Sequence, residues 1–201
     1  MLTLLLATRN RHKVRELKRL LRVPVRLLAI DRFAGIRTAR EDGSTFRANA
    51  AKKAIAVSRQ VPLLVLAEDS GIEVAALGNR PGVRSARFAG ESQSDDANNR
   101  KMLRSLAAVP ARKRTARYVC CMALAADGKV IRFFEGTCSG RVAIAPLGKS
   151  GFGYDPLFVP SGYKRTMAQL GSRVKQRISH RAKAAAKFER WLKIAQTKES
   201  L

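Results

Sequence analysis

Leu63-Leu64-Val65-Leu66-Ala67-Glu68-Asp69-Ser70-Gly71 is the stretch on which the reading of this chain turns. An apolar run rich in Leu and Val, led in by Pro62, ends on two adjacent carboxylates and a Ser-Gly pair. Short apolar runs bounded by turn residues read as buried strands. In open α/β sheets the carboxyl ends of strands present ligand-binding residues. The chain holds 15 acidic against 40 basic residues, so two acids side by side at a strand end point to a metal or general-base site. The expected layout is a strand over 62–67, a Ser-Gly turn, and a short strand over 72–74.

Working outward, residues 2–7 read as a first strand. The basic residues Arg9, Arg11 and Lys13 follow that run, which is the wrong order for a secretion signal. Val14, Leu17, Leu20 and Leu21 recur at helical spacing and predict a helix over 10–22. A second strand is expected over 25–30. Glu41-Asp42-Gly43-Ser44 reads as a turn, with Ser44 or Thr45 capping an alanine-rich helix that runs to about Arg59. Residues 77–82 read as a loop. Ser94-Asp95-Asp96 opens a helix that extends to about Ala108 and is terminated by Pro110.

Asp127-Gly128 between the apolar runs 115–126 and 129–138 predicts a type I′ hairpin. Residues 146–163 carry Pro146, Gly148, Gly151, Gly153, Pro156, Pro160 and Gly162 and must be mostly loop, with a strand at 157–159. A last helix over 179–195 points Ala184, Phe188, Trp191 and Leu192 toward a core. The sum is an α/β chain with a mixed sheet, a long hairpin and a C-terminal helix. At 201 residues it is expected to form one domain.

Hydrophobic content of 46% with 27% charged residues fits a soluble globular protein, and no apolar run reaches membrane-spanning length. Cys120, Cys121 and Cys138 have no zinc-type spacing and read as free cytosolic thiols. The net charge of +25 has two readings, attraction to polyanions or basicity spread over solvated faces. The bases are scattered and aromatics make up only 6%, so no stacking platform for single strands is evident.

Four segments could carry chemistry. Thr8-Arg9-Asn10-Arg11-His12-Lys13 joins the first strand to the first helix. A helix N-terminus offers backbone N–H groups and a positive dipole end, which with Thr8 and Lys13 would cradle phosphate; Asn10 could equally be only a cap. Glu41 and the pair Glu68-Asp69 offer hard oxygen ligands, and Mg²⁺ prefers one or two carboxylates plus phosphate oxygens and water. Strand alternation turns Glu68 away from Asp69. In Gly151-Phe152-Gly153-Tyr154-Asp155-Pro156, Phe152 could stack on a planar base while backbone groups and Asp155 read its edge. The alternative there is a packed turn. Ser179 is a natural N-cap, and His180 and Arg181 behind it suit a nearby anion or base better than a helix dipole. Lys175 lies just upstream. The chain has no Walker loop, no Gly-x-Ser-x-Gly and no dinucleotide glycine fingerprint.

Taken in order, these segments resemble the inosine/xanthosine triphosphate pyrophosphatases, which clear non-standard purine nucleotides. The matching motifs are Ala7-Thr8-x-Asn10-x-x-Lys13, Glu41-x-Gly43-x-Thr45-Phe46 with Asn49-Ala50 and Lys53-Ala54, and Ala67-Glu68-Asp69-Ser70-Gly71. They continue with Pro81-Gly82-Val83-x-Ser85-Ala86-Arg87, Gly151-Phe152-Gly153-Tyr154-Asp155-Pro156 and Ile178-Ser179-His180-Arg181. The resemblance implies an elongated central mixed β-sheet flanked by helices in two lobes, an active-site cleft between them, and a cytoplasmic homodimer. It implies Mg²⁺-dependent hydrolysis of ITP, dITP and XTP to the monophosphate and pyrophosphate. It also implies Asp69 as general base, with Glu41 and Asp69 on the metal. Thr8, Arg9, Asn10, Arg11, His12 and Lys13 would hold the triphosphate and Ser70 the substrate. Phe152, Gly153, Tyr154 and Asp155, with Lys175, His180 and Arg181, would complete base and phosphate recognition.

Some residues depart from the family pattern. Arg9 stands where the family usually has Gly, and Glu68 where Asp is common. Gln169, Arg173 and Val174 occupy a segment that is often acidic, and Gln176 replaces a common Asn. The charge and Arg9 motivate a competing expectation, a basic nucleic-acid-binding derivative of the same fold with weak or absent catalysis. A third is the same chemistry on another nucleotide, such as a modified pyrimidine.

Overall fold

A computed structural model describes residues 2–91 and 94–197. Its strands are β1 (Leu2–Leu6), β2 (Val25–Ala29), β3 (Leu64–Val74), β4 (Arg80–Pro81), β5 (Thr115–Ala126), β6 (Lys129–Val142) and β7 (Phe158–Pro160). Its helices are α1 (Arg11–Leu20), α2 (Phe46–Ser58), α3 (Asp95–Ser105), α4 (Met167–Ile178) and α5 (His180–Thr197). The strands pair in the order β2-β1-β3-β5-β6-β7, with β4 on β3. The sheet is mixed, as expected: β1 runs parallel to β2 and β3, while β4 and β7 pair antiparallel to β3 and β6.

The chain divides into two compact units. The first comprises Met1–Asp69, Cys120–Gly136 and Arg181–Leu201; the second comprises Ser70–Val119 and Thr137–His180. By these ranges β3, β5 and β6 each give residues to both.

In the first unit, Leu4, Leu6 and Leu66 pack with Leu17 of α1, Met122 and Phe134 of the hairpin, and Ala184, Phe188 and Leu192 of α5. Each fully buried Leu or Phe contributes about 1.5–3 kcal/mol relative to exposure. Asn10 caps α1: its Oδ1 accepts from the amides of His12 and Lys13 at 3.0 and 3.1 Å. The helix is shorter than the apolar spacing suggests. Leu21 is already extended, and Pro24 favours extended backbone before it. Thr45, not Ser44, caps α2. Asp127 and Gly128 both carry positive φ, 48° and 73°, as the type I′ hairpin requires.

In the second unit, Ile72 and Val74 pack with Met102 of α3 and Leu106 at its C-cap, and with Tyr118, Tyr154, Leu157 and Phe158. Here the structure corrects two expectations. The apolar run does not stop at a Ser-Gly turn: β3 continues through Glu68-Asp69-Ser70-Gly71 to Val74. Gly71 marks a close approach instead of a turn. A Cβ there would sit 2.3 Å from Ser85 Oγ and 2.5 Å from Gly82 O. Ser85 Oγ in turn accepts the Ile72 amide at 2.9 Å. Gly71→Ala is expected to destabilise by about 1–3 kcal/mol, the usual cost of overpacking, read as a lowered denaturant midpoint.

The second correction is α4, which falls where no helix was expected. Its signal was present as Thr166-x-x-Gln169, a capping box in which each side chain bonds the other's backbone amide. Gly171, at φ 76°, interrupts the helix one turn later and masks its periodicity. Ser179 serves as the C-cap of α4, and α5 begins directly after it. All three cysteines are buried thiols. Burial pushes the Cys120 thiol far up and Cys121 to about 12, so neither is a ready nucleophile.

Candidate active site

In the first unit the carboxylates emerge just beyond the parallel part of the sheet. The β1–β3 register ends at Leu6↔Leu66, and Glu68 and Asp69 follow it on β3. This recovers the carboxyl-end logic even though the strand itself continues. Alternation sends the two acids to different partners, as expected, and both are buried.

Asp69 meets α2. Asn49 Nδ2 donates to Asp69 Oδ2 at 3.0 Å, and Lys53 Nζ lies 3.5 Å from Asp69 Oδ1. The same ammonium donates to Glu41 Oε1 and to the Glu68 carbonyl, both at 2.7 Å. Asn49 Oδ1 also accepts the Gly43 amide at 2.7 Å, fixing the loop that carries Glu41. Burial raises the Asp69 pKa above its usual value. The charges of Lys53 and Lys13 oppose that shift, and the charge of Glu41 adds to it. Asn49 and Lys53 lie one helical turn apart on the face that also buries Ala50, Ala54 and Val57. Two polar residues at i, i+4 inside an alanine-rich stripe are the signal for them, one that spacing alone does not turn into a role.

Glu68 meets α5 and α1. Arg181 Nε and Nη2 donate to its two oxygens at 2.7 and 2.6 Å, and Arg181 Nη1 donates to Glu16 Oε2 at 2.6 Å. Lys13 Nζ adds a contact at 3.3 Å to Glu68 Oε1. The Arg181 side chain is 1% exposed, so its guanidinium is committed to two carboxylates. Burial disfavours its charge, but Glu68 and Glu16 outweigh that and raise its pKa.

The Thr8–Lys13 segment connects β1 to α1. Thr8 Oγ1 accepts the Asn10 amide at 3.2 Å, and Asn10 is the cap already described. Two of the amides counted as anion donors, those of His12 and Lys13, are therefore bonded to Asn10 Oδ1. Arg9 reaches the Ile36 carbonyl at 3.4 Å, His12 Nδ1 lies 3.2 Å from Arg15 Nη2, and Arg11 is exposed. Thr8, Lys13, Glu41, Asp69 and Arg181 thus all belong to this unit.

The second unit carries the aromatic loop. Asp155 Oδ2 accepts the Phe152 amide at 2.9 Å and Lys175 Nζ at 2.5 Å. A Cβ on Gly151 would fall 2.0 Å from that oxygen, which explains the glycine. Lys175 Nζ also sits 4.5 Å from the Phe152 ring centroid. Asp155, expected to read a base edge, closes its own loop through Oδ2. Tyr154 OH donates to the Ser85 carbonyl at 2.8 Å, and burial pushes that phenol up. Gly153 is held from both sides by α3: its amide donates to Asp95 Oδ2 at 2.6 Å and its carbonyl accepts Asn99 Nδ2 at 3.0 Å. His180 stacks flat on Tyr118, with centroids 4.6 Å apart and planes 5° apart. Ser70 is the next residue after Asp69 on β3. Sequence reading missed Asp95, Asn99 and Tyr118. In the sequence Asp95 reads only as a helix opener, and nothing local joins α3 to a loop 58 residues on.

The described residues contain no group of three or more His, Cys, Asp or Glu placed to hold a metal ion. The donors that fit a hard cation are Glu41 and Asp69, two carboxylates joined through one ammonium. Glu41 raises the pKa of Asp69, so their charges oppose each other and an added cation would relieve that. Such a donor set suits Mg²⁺, which takes one or two carboxylates and completes its shell with phosphate oxygens and water.

Comparison with known proteins gives one consistent result. The Ham1 family model matches residues 4–191. The dITP/XTP pyrophosphatase of Desulforamulus reducens is 48% identical over 185 residues, covering 92% of each chain. That of Geobacillus kaustophilus is 46% identical over 193 residues, covering 95% of each. The solved HAM1 protein of Coxiella burnetii superposes with a TM-score of 0.88 at 37% identity, covering 97% of this chain and all of that one.

Proposed function

Because this chain belongs to the Ham1 family, we propose that it is a nucleoside triphosphate pyrophosphatase that converts ITP, dITP and XTP to the monophosphate and pyrophosphate. The observation that carries this reading is Asp69, a buried carboxylate steered by Asn49 and Lys53 and raised in pKa. Burial makes it a stronger base than an exposed aspartate, and its two donors fix the direction in which it accepts a proton.

In this reading Asp69 takes a proton from the attacking water. Lys53 sets its positive charge between Asp69 and Glu41. Lys13, held in place by Glu68, gives the triphosphate a cation, and Thr8 and the capped start of α1 set the course of the chain around it. Mg²⁺, held by Glu41 and Asp69 when bound, would offset phosphate charge and stabilise the leaving pyrophosphate. Arg181 holds Glu68, and through it Lys13, so it acts at one remove from substrate. Phe152 offers a stacking face for the base, backed by Lys175 and by the closed Asp155 turn. A lysine or loop donor aimed at a 6-oxo group accepts inosine and xanthine and rejects the 6-amino group of adenine. On family grounds the protein works as a cytoplasmic homodimer. Among the described residues no helix is long and apolar enough to cross a membrane.

The test is a substrate panel of ITP, XTP, dITP, GTP, ATP and dUTP with Mg²⁺, measuring pyrophosphate against orthophosphate. Pyrophosphate release is expected from the first three at kcat/KM at least about 10²-fold above ATP, within the roughly 10⁴–10⁵-fold available when a polar site is left unpaired by the wrong base. Equal rates on ATP, or preference for dUTP, would overturn the substrate class. Tight, salt-sensitive DNA binding without hydrolysis would favour the nucleic-acid-binding alternative.

A further inference from the structure

α3 holds both polar backbone groups of the residue at the centre of the aromatic loop. Asp95 opens that helix and Asn99 lies one turn further on the same face. Between them they bond the amide and the carbonyl of Gly153. Gly153 stands at φ 64°, a left-handed conformation open to glycine at no steric cost, and its two bonds to α3 select it from the many that glycine can take. Its neighbours are Phe152 and Tyr154.

The same helix is tied down on its other side. Asn98 Nδ2 donates to the Ala86 carbonyl at 2.9 Å, and Asn98 Oδ1 accepts the Ala89 amide at 2.7 Å. The Gly82–Arg87 segment that Asn98 grips also supplies the Ser85 carbonyl to Tyr154 OH. Loop, helix and segment form a closed frame of hydrogen bonds within the second unit. Among the described residues Asn99 Oδ1 is buried without a hydrogen-bond partner, and its amide nitrogen makes the bond to Gly153.

We propose that Asp95 and Asn99 are positioning residues for base selection, fixing Gly153 and so the placement of Phe152 and Tyr154. The proposal rests on the functional reading above, because it assigns base recognition to that loop. With Gly153 committed to α3, the loop reads the base through the Phe152 face and the groups beside it, and the Gly153 amide is not the reader. Loosening the frame lets the ring settle in several placements. That weakens binding of the right base and admits the wrong one, while the chemistry on the first unit's carboxylates is left in place.

Asp95 is exposed, and Ser94 still caps α3 without it, so Asp95→Ala is expected to fold. Two measurements on Asp95→Ala and Asp95→Asn decide the matter, with Asn99→Ala as a third variant. The first is amide hydrogen exchange across residues 151–156 in the ligand-free protein. The second is steady-state kinetics with ITP and ATP. Asp95→Ala is expected to speed exchange at Gly153, to raise KM for ITP about tenfold with a smaller change in kcat, and to lower the ITP/ATP selectivity by a similar factor. Asp95→Asn keeps an acceptor oxygen and is expected to restore both. An Asp95→Ala enzyme whose KM split and selectivity match the parent's would overturn the proposal. So would unchanged exchange at Gly153. A parent that leaves ITP intact would sink the functional reading instead, an outcome told apart because it is seen before any substitution is made.

Discussion

Asp69→Asn is expected to lower kcat on ITP by about 10²–10⁴-fold, the share a positioned general base supplies, while KM changes little. Asparagine keeps the shape and can still accept from Asn49 or Lys53 but cannot take a proton from water. In the metal-free protein burial raises the Asp69 pKa above its ordinary value. The sign for stability is the reverse of the usual carboxylate case. A folded pKa above the unfolded one gives stability that is present below the unfolded value and is lost as pH rises through the folded one. Ligand-free Asp69→Asn is therefore expected to melt no lower than the parent at pH 7, with any advantage gone in acid. A variant that is inactive and also strongly destabilised at neutral pH would make Asp69 a structural residue. Group placement that costs stability in the free protein is common where the strain serves function.

Arg181→Met is expected to give the largest loss of stability, about 3–5 kcal/mol, because it strands the buried Glu68 without its bidentate partner. For a chain of this size that is roughly 6–20 °C in Tm. Lys13 remains near Glu68 but is more exposed and makes a single contact at 3.3 Å. The double variant Glu68→Gln with Arg181→Met removes both charges, and at least half of the loss should return. A double variant no better than Arg181→Met alone would mean that the arginine acts through packing and not through its charge. This test also separates Arg181 from substrate recognition, since a base-reading arginine would leave Tm nearly unchanged.

The fold was legible wherever local chemistry agreed with tertiary demand. Asn10 and Thr45 capped the helices expected of them, and Asp127-Gly128 turned the hairpin. The Ala184-Phe188-Leu192 stripe faced the core. The reading failed where a residue serves a distant contact. Ser70-Gly71 looks like a turn, yet Gly71 is glycine because Ser85 and Gly82 crowd a strand. Gly171 hid α4 behind its own kink although Thr166-x-x-Gln169 announced the start.

The site divides in the same way. Asp69 and Glu41 stood out as acids in a basic chain, and the structure links both to one lysine. Arg181 reads as a ligand contact because a cation at a helix N-terminus suits a nearby anion, and Asp155 because it sits in a glycine-spaced aromatic loop. Each is bonded within its own unit, to Glu68 and Glu16 in one case and to Lys175 in the other. Pairings across 113 and 165 residues leave no trace at the level of spacing. Lys53, which joins Glu41 and Asp69, was equally hidden among 40 basic residues.

The central claim is that this chain releases pyrophosphate in one step at Asp69. Phosphorus-31 spectra of ITP turned over with Mg²⁺ test it most directly. Equal amounts of IMP and pyrophosphate, with no IDP, and their disappearance in Asp69→Asn, are expected. IDP with orthophosphate from the parent, or full pyrophosphate release by a folded Asp69→Asn, would contradict it.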